Sequence, residues 1–166
     1  MYQSKQIEQD YYTSKVDSLY FYVVSVYRSS GMTLDQWENL SEASKIRSLV
    51  QIYGHLTNVN EVLRTERLFS VLEFGKSPVH LENFFLLYAS DVFGETMRIL
   101  NNEELDVEKS LLKEIYHDMQ IIQENLDSEL VLARDIDKIN KRWFEEIVPK
   151  FKNERVLEDY LYYVDY

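Results

Sequence analysis

An all-α fold, a bundle of about seven or eight helices forming one domain over 1–166, is predicted by three features of the sequence. Only 4 Gly and 2 Pro punctuate 166 residues, whereas a β-sandwich or an α/β fold of this size needs a turn roughly every ten residues. Hydrophobic residues make up 45% and aromatics 14%, enough for a substantial core. Those apolar residues recur at intervals of three and four along most of the chain, the period of an amphipathic helix.

The first helix is expected from about Ser4 to Ser29, with Tyr12, Val16, Leu19, Val23 and Val26 on one face and Gly31 ending it. The run from Leu19 to Tyr27 is also dense enough in β-branched and aromatic residues for a strand, but the helical spacing begins well before it. Thr33 with Gln36 reads as a capping box opening a short helix to about Leu40. Ser41 caps a third helix through His55, with Ile46, Leu49, Val50, Tyr53 and Leu56 as its apolar positions. Asn58 with Glu61 repeats the cap pattern and opens a fourth helix ending at Phe74.

The segment 75–78 is the clearest boundary in the chain. Gly75 suits the left-handed residue after a helix, Ser77 an N-cap and Pro78 a first-turn position. A fifth helix follows to about Leu100 with Leu81, Phe85, Tyr88, Val92 and Ile99 as its stripe, and Asn101 and Asn102 stop it. An acidic arm over 102–148 comes next. Leu112, Ile115, Met119, Ile122 and Leu126 form one seam, and Leu132, Ile136, Ile139, Trp143 and Ile147 a second in a shifted register. Asp127 and Ser128 mark a kink or break between them. Pro149 ends the arm, and Asn153 caps a terminal helix to about Tyr163.

Several kinds of chemistry are excluded or unsupported. With no Cys there is no disulfide, thiolate metal site or cysteine nucleophile. No signal peptide pattern is visible, and the apolar run from Leu19 to Tyr27 is far shorter than the roughly 20 residues a membrane span requires. The expectation is a cytoplasmic protein with no membrane contact. Gly75, Lys76 and Ser77 match the end of a phosphate-binding loop, but the upstream glycine position is Ser70 and a helix precedes it, so capping explains the residues better. The histidines, His55, His80 and His117, lie in different predicted helices. Glu114 and His117 have the spacing found in di-iron bundles, but in a single copy, and a metal-dependent helical-bundle enzyme centred on them, to which Glu82 could add a ligand, is the third reading. No catalytic residue, metal ligand or cofactor is assigned.

Charge is the most informative feature. The chain carries 29 acidic and 18 basic residues, a net charge of −11. Direct binding of nucleic acid or anionic lipid is disfavoured and a basic protein partner is favoured. Residues 102–137 hold 11 acids against three bases, −8 of that total. A solvated helix face is the simple explanation of that run. The sharper one is a surface that imitates DNA, because carboxylates three or four residues apart stand about 5–6 Å from one another, close to phosphate spacing.

Glu103, Glu104, Glu108, Glu114, Asp118 and Glu124 are the partner-binding candidates, and reversing Glu103, Glu108, Glu114 and Asp118 is expected to abolish binding without harming the fold. The partner would be a nucleic-acid-binding protein or a nuclease. In its low Gly and Pro content and absent Cys the chain resembles accessory or inhibitor proteins of bacteria or their phages.

Tyrosine is also unevenly placed, with 10 of 13 near the termini. The expected reason is an aromatic layer shared by the first and last helices. The alternative is that Tyr160, Tyr162, Tyr163 and Tyr166 form an exposed aromatic interface for a partner or for a second copy in a self-associating scaffold.

Overall fold

The computed structural model describes residues 2–65, 81–101, 107–133 and 135–164. It is an all-α bundle: among the described residues there are seven α-helices and no strand. The helices are α1 (Tyr2–Gln36), α2 (Glu42–Thr65), α3 (Leu81–Leu100), α4 (Val107–Asn125), α5 (Ser128–Leu132), α6 (Ile136–Arg142) and α7 (Glu154–Val164). The most extensive helix contacts are those of α2 with α3 and of α1 with α4 and α2, while α7 docks on α3. No helix of the described residues is long and apolar enough to cross a membrane.

The stripes predicted for α1, α3 and α4 are the core, whereas of the apolar positions predicted for α2 Leu49 and Leu56 are buried, Ile46 and Tyr53 are partly buried and Val50 is exposed. Val16, Leu19, Val23 and Val26 of α1, Leu81, Phe85, Tyr88, Val92 and Ile99 of α3, and Leu112, Ile115, Met119 and Ile122 of α4 are all buried. The helix ends differ from expectation in instructive ways. Gly31 does not end α1, which runs on to Gln36. A Cβ at Gly31 would stand 2.8 Å from Cε2 of Tyr116, so this glycine lets an α4 ring lie against the α1 backbone. That ring stacks on Tyr27 at 4.7 Å between centroids. Thr33 caps nothing: it lies inside α1 and its hydroxyl donates to the Ser29 carbonyl at 2.7 Å, a back-bond within the helix.

Ser41 does cap α2, receiving the Ser44 N–H at 3.3 Å. The break expected before Asn58 is absent, and α2 continues through Asn58 and Glu61 to Thr65. Leu56, Val59 and Leu63 are buried on one face across that point, so packing keeps the helix whole where local cap chemistry would have allowed a stop. The 75–78 boundary and the end predicted at Phe74 lie outside the described residues.

In the arm the break at Asp127 is present, and its carboxylate accepts the Glu129 N–H at 2.9 Å. A second break follows at Asp135, which caps α6 through the Lys138 N–H at 3.2 Å. After α6 the chain widens into a π-helical turn (Trp143–Ile147) and tightens into a 3-10 turn (Val148–Lys150) around Pro149. Asn153 then caps α7 as expected, its Oδ1 accepting the Val156 N–H at 2.9 Å.

Candidate functional site

The acidic candidates lie on or next to α4, and the structure separates them. Glu103 and Glu104 are outside the described residues. Glu108 lies in the first turn of α4, and its side chain is not among those described. Glu124 is exposed and accepts from Gln120 Nε2 at 2.8 Å. It stands ten residues beyond Glu114, about 15 Å along the helix, and belongs to a different part of the surface.

Asp118 is a correction: it cannot face a partner, because its side chain is fully buried. The cause is its position. Asp118 lies three residues after Ile115 and four before Ile122, on the buried face of α4, and a carboxylate there is tolerated only when saturated with donors. Those donors come from three elements. The Tyr88 hydroxyl of α3 donates to Oδ2, the Lys152 N–H donates to Oδ1 at 2.8 Å, and the Asn153 N–H donates to Oδ2 at 3.3 Å. His117 completes the set through Nδ1 at 3.0 Å from Oδ1. A carboxylate can only accept, so Nδ1 carries the proton of this hydrogen bond.

Chemically this group is an anchor. Asp118 holds the turn that leads into α7, and burial together with the adjacent Asp118 raises the Tyr88 hydroxyl well above its ordinary pKa. Among the described residues no hydroxyl hydrogen-bonds to His117. No group of three His, Cys, Asp or Glu among the described side chains could hold a metal ion. The side chain of Glu82, the third member suggested with Glu114 and His117, is not among them.

Glu114 is the remaining candidate whose side chain is described. It is half-buried one turn before Asp118 and accepts from Ser110 Oγ at 3.2 Å. Burial raises its carboxyl above the ordinary range, Ser110 opposes the shift, and the charges of Asp118 and Glu154 add to it. Glu154, at the start of α7, was not among the sequence candidates, because only the docking of α7 brings it to α4.

The Glu114 shift has a testable sign. With the folded pKa above the unfolded value, folding takes up a proton, so stability falls as pH rises from the ordinary carboxylate range through the raised value. Glu114→Gln, which keeps an acceptor for Ser110, is therefore expected to unfold at higher urea than the parent near neutral pH. That advantage should vanish below the ordinary carboxylate pKa, where Glu114 is protonated in both states. A Gln variant less stable than the parent at neutral pH would contradict the desolvated, like-charged setting.

The basic side chains are largely committed elsewhere. Lys109 pairs with Glu38 and Arg155 with Asp91. Arg98 pairs with Glu95 at 2.8 Å, Lys138 with Asp135 at 2.9 Å and Arg142 with Glu146 at 3.5 Å. Lys150 donates to Asn125 at 3.0 Å, and Lys45 lies 4.6 Å from the centre of the Trp37 ring. Among the described residues no basic group lies within ion-pair distance of Glu114, Glu124, Glu129 or Glu154.

The aromatic candidates divide as well. Tyr160 is fully buried, a second correction: its hydroxyl accepts from Trp143 Nε1 at 3.0 Å, and its ring meets Phe84 edge-on at 5.5 Å. Tyr162 is exposed. The side chain of Tyr163 and the whole of Tyr166 lie outside the described residues. The N-terminal tyrosines are used differently from the expected shared layer. Tyr12 donates to the Val131 carbonyl at 2.9 Å and Tyr20 to the Leu126 carbonyl at 2.6 Å, tying α1 to the α4–α5 corner.

Comparison of the chain with protein-family models, curated proteins and solved structures gave no match.

Proposed function

We propose that this is a non-enzymatic, acidic helical protein that binds a basic protein partner in the cytoplasm and regulates or inhibits it by presenting carboxylates where that partner expects phosphates. One observation carries the reading: Glu114 and Glu154 stand close enough to Asp118 to raise the Glu114 carboxyl, and among the described residues no cation is within ion-pair distance of either glutamate. Like charges held together raise each other's energy, and a Lys or Arg from a partner relieves that repulsion on binding.

The test is affinity capture from host lysate at low and at high salt with parent and variant baits. The variant carries Glu108→Lys, Glu114→Lys and Glu154→Lys and leaves Asp118 untouched, since reversal there would break the fold instead of the surface. The expected outcome is a basic nucleic-acid-binding protein held by the parent at low salt, released at high salt, and absent from the variant, whose circular dichroism is unchanged. Association should slow at least tenfold with the reversed charges, because exposed charge acts chiefly on the encounter rate. Equal capture by parent and variant would refute the assigned surface.

A further inference from the structure

The outward side of α1 carries a groove and two unpaired charges. Asp17, Phe21, Val24 and Arg28 follow one another at intervals of four, three and four residues, which sets them along one side of the helix, away from the buried stripe of Val16, Leu19, Val23 and Val26. With Ser25 and with Ser128 at the start of α5 they line an open groove of about 360 Å³. Phe21 is exposed at 63%, a large apolar ring that the packing of one chain leaves in solvent. Asp17 and Arg28 are also exposed, and among the described residues neither side chain enters an ion pair or a hydrogen bond. They stand three helical turns apart, about 16 Å, and so cannot pair with each other within one chain.

We propose that this side of α1 pairs with the same side of a second copy of the chain, antiparallel about a two-fold axis at the level of Tyr22 and Val23. The inference goes beyond the basic-partner reading and uses different residues. The order of the side chains selects the occupant, because it is self-complementary. Asp17 and Arg28 lie equally far from the midpoint between residues 22 and 23, and so do Phe21 and Val24. One axis therefore sets Asp17 of each copy opposite Arg28 of the other, and Phe21 of each opposite Val24 of the other. These are the reciprocal contacts that an isologous interface requires. Both charges that find no partner inside the chain find one across the axis.

The net charge points to the same place. Two copies at −11 each repel, so they can meet only where charge is missing or complementary. Between Asp17 and Asp35 the only charged residue is Arg28, so the half of α1 that receives Asp17 of the other copy carries a positive charge and no acid. Exposed charges farther from the contact than the Debye length, about 10 Å at 0.1 M salt, are largely screened. A single helix pair buries less area than a standard interface, so the dimer is a reversible one that forms with rising concentration.

Sedimentation velocity of the full chain up to about 0.5 mM, within the range of weak specific association, tests this. The parent is expected to dimerise, and Phe21→Gln to weaken the dimer about tenfold with unchanged circular dichroism and melting, since the ring is exposed. Asp17→Arg alone and Arg28→Asp alone should each stay monomeric, because each change sets like charges opposite one another at both pairs. An equimolar mixture of these two variants should associate about as well as the parent, since each supplies the charge that the other lacks. A parent that stays monomeric at every concentration overturns the proposal. So does a dimer indifferent to Phe21→Gln, or a mixture of the charge variants that associates no better than either alone. Glu114 and Glu154 are untouched in all of these variants, so this reading and the capture of a basic partner fail separately.

Discussion

Asp118→Asn is expected to lower stability by about 2–4 kcal/mol, the range for leaving a buried donor unsatisfied inside a charged hydrogen-bond network. The geometry makes the loss unavoidable. Oδ2 accepts from Tyr88 and from the Asn153 N–H, and Oδ1 from His117 and from the Lys152 N–H. An asparagine must place its NH2 at one of these two positions. The Tyr88 hydroxyl can rotate to accept and His117 can change tautomer, but a backbone N–H can do neither. Whichever way the amide turns, the Lys152 or the Asn153 N–H therefore faces another donor in a buried site. The denaturation midpoint should fall with little change in slope, and amide exchange should accelerate first in α7, whose entry this carboxylate holds. Stability equal to the parent would mean that the turn before α7 is held by something other than Asp118.

Phe84→Ala should cost about 3–5 kcal/mol, the range for removing a fully packed aromatic ring. Phe84 stacks on Phe151 at 4.7 Å and meets Tyr88, Trp143 and Tyr160 edge-on at 5.2, 5.4 and 5.5 Å. It thus joins α3, the π-helical turn, the 151–153 turn and α7 in one contact set, and the cavity left by its loss could not be filled from any single element. Tyr162→Ala, on an exposed side chain two residues beyond Tyr160, should stay within about 0.5 kcal/mol of the parent. Chemical denaturation of both variants gives the comparison. Similar losses from the two would mean that the C-terminal tyrosines do not divide into core and surface in this way.

Part of what the candidate site required stood in the sequence but was misread there. The burial of Asp118 was implied by its place between Ile115 and Ile122, and that of Tyr160 by its position four residues after Val156, because helical spacing assigns a face to every residue, polar ones included. A count of charge treats acids along a segment as equivalent, and it therefore set Asp118 beside Glu124 although one is buried and the other exposed. Glu154 had no signal at all, since its nearness to Glu114 depends on where α7 docks.

The sequence by itself determined the helical class, the apolar faces of α1, α3 and α4, the cap at Asn153 and the break at Asp127. Each depends on residues within a turn or two of one another, where period and side-chain cap chemistry act directly. Tertiary structure decided which of the local stop signals were used. Gly31 and Asn58 lie inside continuous helices because the faces of α1 and α2 are buried across those points and the lost packing would exceed the modest gain of a cap. It also decided which acids gather on α4 and which tyrosines join the core, because each of these depends on contacts between segments far apart in the chain.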